Sequence, residues 1–175
     1  MPSRNRSAGP EPLSREACIA LLEEAGCAKN VTAHCNAVCA CAEEYAARCN
    51  LADPDLVIQG ALLHDIGRSR THSIGHAQAG ADLLREKGFP ERLVRIVECH
   101  TGAGLTADEC TLLGLLPRDC MPQSIEEKIV THADNLLAGT TRETIDESIA
   151  WAVHLNRKTR HRIYRLANEV ELLAQ

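Results

Sequence analysis

Residues 52–67 read ADPDLVIQGALLHDIG, and their reading decides the fold. Asp53 offers a side-chain acceptor for the first N–H groups of a helix. Pro54 takes the first helical position, where its missing N–H costs nothing. The stretch from Leu56 to Leu63 is apolar on nearly every side, so the helix it forms belongs inside other helices. Gly67 is expected to terminate it. The helix ends on His64-Asp65, which carries an imidazole and a carboxylate into a nearly dry place. An unpaired buried charge is expensive there, so a cation is expected nearby.

Helix signals recur on both sides of this segment. Ser14 is expected to cap a first helix that ends at Gly26, and Asn30 a second that runs to about Cys49. Further helices are expected over Ile74–Lys87 and from Glu91 to about Thr101. Capping boxes are read at Thr106/Glu109, Ser124/Glu127 and Thr140/Glu143, opening helices near 107–113, 125–138 and 142–155. A last helix spans Thr159 to Leu173. No stretch alternates apolar and polar residues as a strand would. The expected class is all-α, a compact bundle of eight or nine helices. Residues 13–175 are expected to form one domain, with a motif-bearing core at 31–137 and C-terminal helices at 142–173. Residues 1–12 are expected to be a disordered tail.

The chain has 175 residues, 45% of them apolar, and a net charge of −5, which gives no basic footprint for nucleic acid. No apolar run is long enough to span a bilayer, and none near the N-terminus makes a signal peptide. A cytoplasmic protein is expected, without nucleic-acid or membrane partners. Nine cysteines form no CxxC pair and no disulfide-like spacing, so they read as small buried apolar residues. The basic run NRKTRHRIYR, 156–165, reads as a solvated helix face.

Residues 60–81, GALLHDIGRSRTHSIGHAQAGA, hold three histidines and an aspartate within the thirteen residues 64–76. A histidine stands earlier in VTAHCNAVCA (31–40), and an aspartate later in EEKIVTHADNL (126–136). The order His34, His64-Asp65, Asp134 resembles the HD superfamily of metal-dependent phosphohydrolases. The likeness runs from about Val31 to Leu137, and the whole chain looks most like a small archaeal-type HDIG family. HAQAGADLL (76–84) and IVECHTGAG (96–104) resemble the places where a dinuclear subset carries extra histidines, which nominates His76 and His100. The absence of a Gly-Tyr-Pro element sets the chain apart from cyclic-di-GMP phosphodiesterases of the HD-GYP type.

The resemblance implies an HD-domain, phosphodiesterase-like helical fold and a ligand set of His34, His64, Asp65, His76, His100 and Asp134, with Asp65 as bridge. A carboxylate can bridge two ions about 3.5–4 Å apart. Two divalent ions, two carboxylates and a bridging hydroxide leave a net charge of about +1, which suits a phosphate oxyanion. Four imidazoles disfavour magnesium or calcium. Iron or manganese is expected, with cobalt, nickel and zinc also compatible. His72, one turn before His76, is the alternative to it. Arg68, three residues after Asp65, and Lys128, six residues before Asp134 on a neighbouring sector of that helix, are candidate phosphate-binding groups, with Ser69, Arg70 and Thr71 in the loop after the His-Asp motif. His132 reads as structural or solvated, and His154 and His161 receive no role. TGAGLT (101–106) reads either as a backbone approach to an anion or as a loop that needs positive φ.

The expected activity is hydrolysis of a phosphoester or phosphoanhydride in a nucleotide-like substrate by the bridging hydroxide. HD hydrolases that cleave diadenosine tetraphosphate share the ligand order. Two alternatives use the same ligands: a di-iron HD-domain oxygenase and a catalytically idle metal-binding sensor. Trp151 and its neighbours either pack inward or build a homodimer through the C-terminal helices.

Overall fold

The computed structural model describes residues 13–152 and 155–175, except the side chain of Trp151. The expected N-terminal tail, His154 and the packing of Trp151 lie outside that description. Nine α-helices occur among the described residues: α1 Arg15–Ala25, α2 Lys29–Arg48, α3 Pro54–Leu63, α4 His76–Glu86, α5 Glu91–Cys99, α6 Ala107–Leu112, α7 Ile125–Asn135, α8 Ile145–Trp151 and α9 Arg157–Leu173. The all-α bundle expected from the sequence is the observed fold.

Helix α3 is the central rod. Val57, Ala61, Leu62 and Leu63 have no exposed surface. Helices α1, α2, α5 and α7 pack around it, and α4 pairs with α5 while α9 lies on α7. A Cβ at Gly60 would stand 2.6 Å from Ile96 Cγ2, so glycine lets α5 approach α3 closely. The α4–α5 corner is tied by a buried carboxylate: Glu98 accepts two bonds from Arg85 at 2.9 Å and one from Arg118 at 3.0 Å.

Several boundaries depart from the sequence reading. Ser14 caps α1 by accepting from Ala17 N–H, and Gly26 ends it at φ 87. Asn30 is not a cap: α2 starts at Lys29 with Ala28 before it and no side-chain cap bond. Helix α3 stops at Leu63, and Ile66–Ser69 form a short 3₁₀ turn. Gly67 is therefore no αL terminator. It is glycine because a Cβ there would lie 1.9 Å from the His76 carbonyl oxygen and 2.4 Å from Gly80 N. That contact seats the start of α4 on the turn after Asp65.

Helix α7 ends at Asn135, before a hairpin of β1 (Leu137–Ala138) and β2 (Thr141–Arg142) that no alternation announces. Thr140 lies in its turn, and the capping box belongs to Thr144 and Glu147 instead. Ser124 caps Glu127 N–H as expected, but the Glu127 carboxylate accepts from Gln123 N–H rather than closing the box. Thr106 and Glu109 form their box in full. Gly102 and Gly104 both have positive φ, which the loop reading of TGAGLT requires.

Candidate metal centre

His64 and Asp65 sit at the C-terminal end of α3, where His64 has no exposed surface and Asp65 only 3%. Four other helices deliver side chains to the same spot. His34 comes from the first half of α2, His76 opens α4, His100 follows α5, and Asp134 stands in the last turn of α7. The structure brings together all six side chains nominated as ligands.

The imidazoles share one geometry. His34 donates Nδ1–H to the Gly139 carbonyl at 2.6 Å, His64 to Ala61 at 2.7 Å, His76 to Ser73 at 2.8 Å and His100 to Val97 at 2.7 Å. Each carbonyl fixes a tautomer whose lone pair lies on Nε2, and every Nε2 turns inward. The hairpin thus has a purpose: its turn places the Gly139 carbonyl behind His34.

Two groups of inward atoms form. His34, His64 and Asp134 offer ligand atoms within 4.8 Å of one another, as do His64, Asp65 and His100. His76 Nε2 lies 3.0 Å from His100 Nε2 and 3.2 Å from Asp65 Oδ1. With both Nδ1 protons donated outward, His76 and His100 point lone pair at lone pair, an arrangement a cation between them would relieve. His64 Nε2 and Asp65 Oδ1 are buried without a hydrogen-bond partner. Orphaned acceptors of this kind fit transition-metal ions.

The electrostatics agree. Burial alone would raise the Asp65 and Asp134 carboxyls, but the surrounding imidazoles outweigh it and hold both well below the usual carboxylate range. Burial opposes charge on His64, yet Cys35 and Asp134 push its pKa up, and Asp134 does the same for His34. Burial lowers His100. One buried carboxylate, Asp65, and one half-buried, Asp134, therefore draw positive charge into the cluster, which divalent ions supply better than protons.

Over Asp65 opens a cavity of about 510 Å³, lined by His34, Asp65, Arg68, His72, Gly139 and Thr140 among others. Arg68 donates Nε–H to Asp65 Oδ2 at 2.6 Å and reaches the cavity with its guanidinium. His72 is exposed at the cavity rim, in the bend that precedes α4 rather than one helical turn before His76, and the cluster takes His76. Lys128 is elsewhere: it pairs with Glu169 and lines a separate groove with Arg162 and Arg165. His132 is buried against the Tyr45 hydroxyl, at 3.2 Å. All nine cysteines are unpaired thiols, eight of them buried, and neither ligand group contains one. Cys35, beside His64, is the neighbour sequence reading gave no weight.

The family model for the HD domain matches residues 31–139. The chain belongs to the HD-domain family. As an HD domain it is a metal-dependent phosphohydrolase, with a His/Asp cluster able to hold divalent metal. An uncharacterised protein of Methanocaldococcus jannaschii is 52% identical over 131 residues, covering 70% of this chain and 75% of that protein. A tRNA (cytidine(56)-2'-O)-methyltransferase of Thermoplasma volcanium is 44% identical over 134 residues, 77% of this chain but only 39% of that protein. Most of the Thermoplasma protein lies outside the match. Among solved structures, the HD domain of the Listeria monocytogenes phosphodiesterase PgpH superposes with a TM-score of 0.56 over 89% of this chain and 96% of that one, at 16% identity. The same domain in complex with cyclic-di-AMP gives 0.54 over 89% of this chain and 94% of that one. At that identity the likeness is one of fold. No helix among the described residues is long and apolar enough to cross a membrane.

Proposed function

We propose that this HD domain holds two divalent transition-metal ions and hydrolyses a phosphoester or phosphoanhydride of a nucleotide-like substrate in the cytoplasm. The observation that carries the reading is the common set of four imidazoles: every Nδ1–H is spent on a backbone carbonyl, and every Nε2 faces the carboxylates. His34, His64 and Asp134 would hold one ion, and His76 and His100 the other, with Asp65 shared between them. Iron or manganese suits this donor set best. When bound, such ions supply Lewis acidity toward a phosphoryl oxygen and a water that ionises near neutral pH.

The chain's own residues do the rest. The surrounding imidazoles keep Asp65 and Asp134 ionised, and the backbone carbonyls keep the imidazoles fixed, so little reorganises when substrate arrives. Arg68 anchors on Asp65 and presents charge-assisted donors to a phosphoryl oxygen in the cavity. Lys128, held by Glu169, has no part in this reading. A cavity of about 510 Å³ is in the usual size range for small-molecule sites. Relatives of known fold include a domain crystallised with cyclic-di-AMP, which supports a nucleotide-like substrate. Nine unpaired thiols suit a reducing compartment.

Anaerobically purified protein, supplied with manganese or iron, should release phosphate or a leaving alcohol from members of a nucleotide and phosphodiester panel. Asp65→Ala should lower that rate by about three orders of magnitude or more, the scale of losing a principal charge-stabilising group. Oxygen consumption without hydrolysis would overturn the reading in favour of a di-iron oxygenase.

A further inference from the structure

One imidazole at the cavity over Asp65 is left unused by the cluster. His72 lines that cavity together with His34, Asp65 and Arg68, and it is exposed there. Among the described residues its ring makes no hydrogen bond and no ion pair. The bend that carries it is nevertheless fixed. Thr71 Oγ1 donates to Ser73 Oγ at 3.0 Å, and Ser73 Oγ accepts from Gly75 N–H at 3.2 Å. The Ser73 carbonyl in turn takes the Nδ1–H of His76 at 2.8 Å, so the bend is tied to a ligand of the cluster.

Hydrolysis of a phosphoester moves two protons, one off the attacking water and one onto the leaving oxygen. An alkoxide leaves badly unless an acid meets it. Few side chains at this cavity can be that acid. Arg68 keeps its proton in proteins, and the Asn30 amide and Thr140 hydroxyl hold theirs too tightly. His34 spends Nδ1–H on the Gly139 carbonyl and turns Nε2 to Asp134. Asp65 is held ionised by the imidazoles around it. Imidazole is the side chain that exchanges a proton near neutral pH, and His72 is the one here with both ring nitrogens uncommitted.

Resting on the phosphohydrolase reading above, we infer that His72 is the general acid that protonates the leaving oxygen of the substrate. A water-derived oxygen bonds to phosphorus as the bond from phosphorus to the leaving oxygen breaks. That oxygen keeps the electron pair, and a ring N–H of protonated His72 gives its proton to it, so the product departs as an alcohol. The attacking water releases one proton to solvent, and the exposed ring takes one back.

Two thymidine 5'-phosphodiesters that differ only in the leaving group test this. The p-nitrophenyl diester expels a phenolate that needs no proton, whereas the phenyl diester expels one that leaves poorly without it. With metal-loaded full-length protein, His72→Gln should lower kcat/KM for the phenyl diester about a hundredfold or more, the scale of one lost general acid. The p-nitrophenyl diester should lose less than about threefold, because no acid assists its departure. Metal content of His72→Gln should match wild type. Equal losses on both diesters, or none on either, would overturn the assignment and leave the hydrolase reading standing. So would loss of metal from His72→Gln, which would make the residue a ligand. Wild type inactive on both diesters would overturn the assignment, and inactivity on every phosphoester would remove the reading beneath it as well.

Discussion

His132 is two residues from Asp134 but lives in a different environment. Its ring is buried, Nε2 meets the Tyr45 hydroxyl, and Nδ1 has no partner. Burial pushes its pKa down, so the unfolded chain takes up a proton that the folded chain refuses. The stabilisation is fully present above the unfolded value, about 6.5. It is lost as pH falls from there toward the folded pKa, at up to about 1.4 kcal/mol per pH unit. Urea midpoints of chelator-treated protein at pH 7.5 and 5.5 should show this drop, and His132→Gln should make it smaller, leaving the part that buried His100 contributes. At this scale His34, His64, Asp65 and Asp134 were legible because each is polar on an apolar helix in a telling order. Lys128 lines a different groove from the cavity over Asp65. Six residues from Asp134 is about 9 Å along a helix, and its partner Glu169 lies on a helix no local pattern connects to it.

Among elements, the 3₁₀ turn and the start of α4 matter most. Gly67 touches the His76 carbonyl and Gly80, and this contact sets His76 against Asp65. Gly67→Ala should force α4 away, destabilising the fold by about 1–3 kcal/mol as overpacking does. Metal analysis of that variant should show the ion at His76 and His100 weakened while the group of His34, His64 and Asp134 keeps its own. Unchanged stability and metal content would show that α4 is seated by something else. The sequence announced a glycine here but not its reason, since a close approach depends on what packs opposite. The hairpin was equally hidden. Residues 140–147 contain two Thr-x-x-Glu pairs four residues apart, and only the turn at Gly139, with φ 65, decides that Thr144 is the cap.

Over the whole molecule, the bundle exists to gather six side chains from five places in the chain. The apolar rod α3 dictates that gathering: it must be surrounded, and its last residues are His64 and Asp65. That much follows from residues 52–67 and the helical periodicity around them. The backbone carbonyls behind each imidazole emerge only from the packing. The proposed activity requires the cluster to hold two ions in distinguishable places. Metal content per chain, measured on anaerobically purified protein equilibrated with manganese or iron, tests it most directly. About two equivalents are expected in wild type and about one in His76→Ala/His100→Ala, as a site with two separable ligand groups requires. Wild-type protein that retains no metal, or a double variant that retains as much as wild type, would contradict the account.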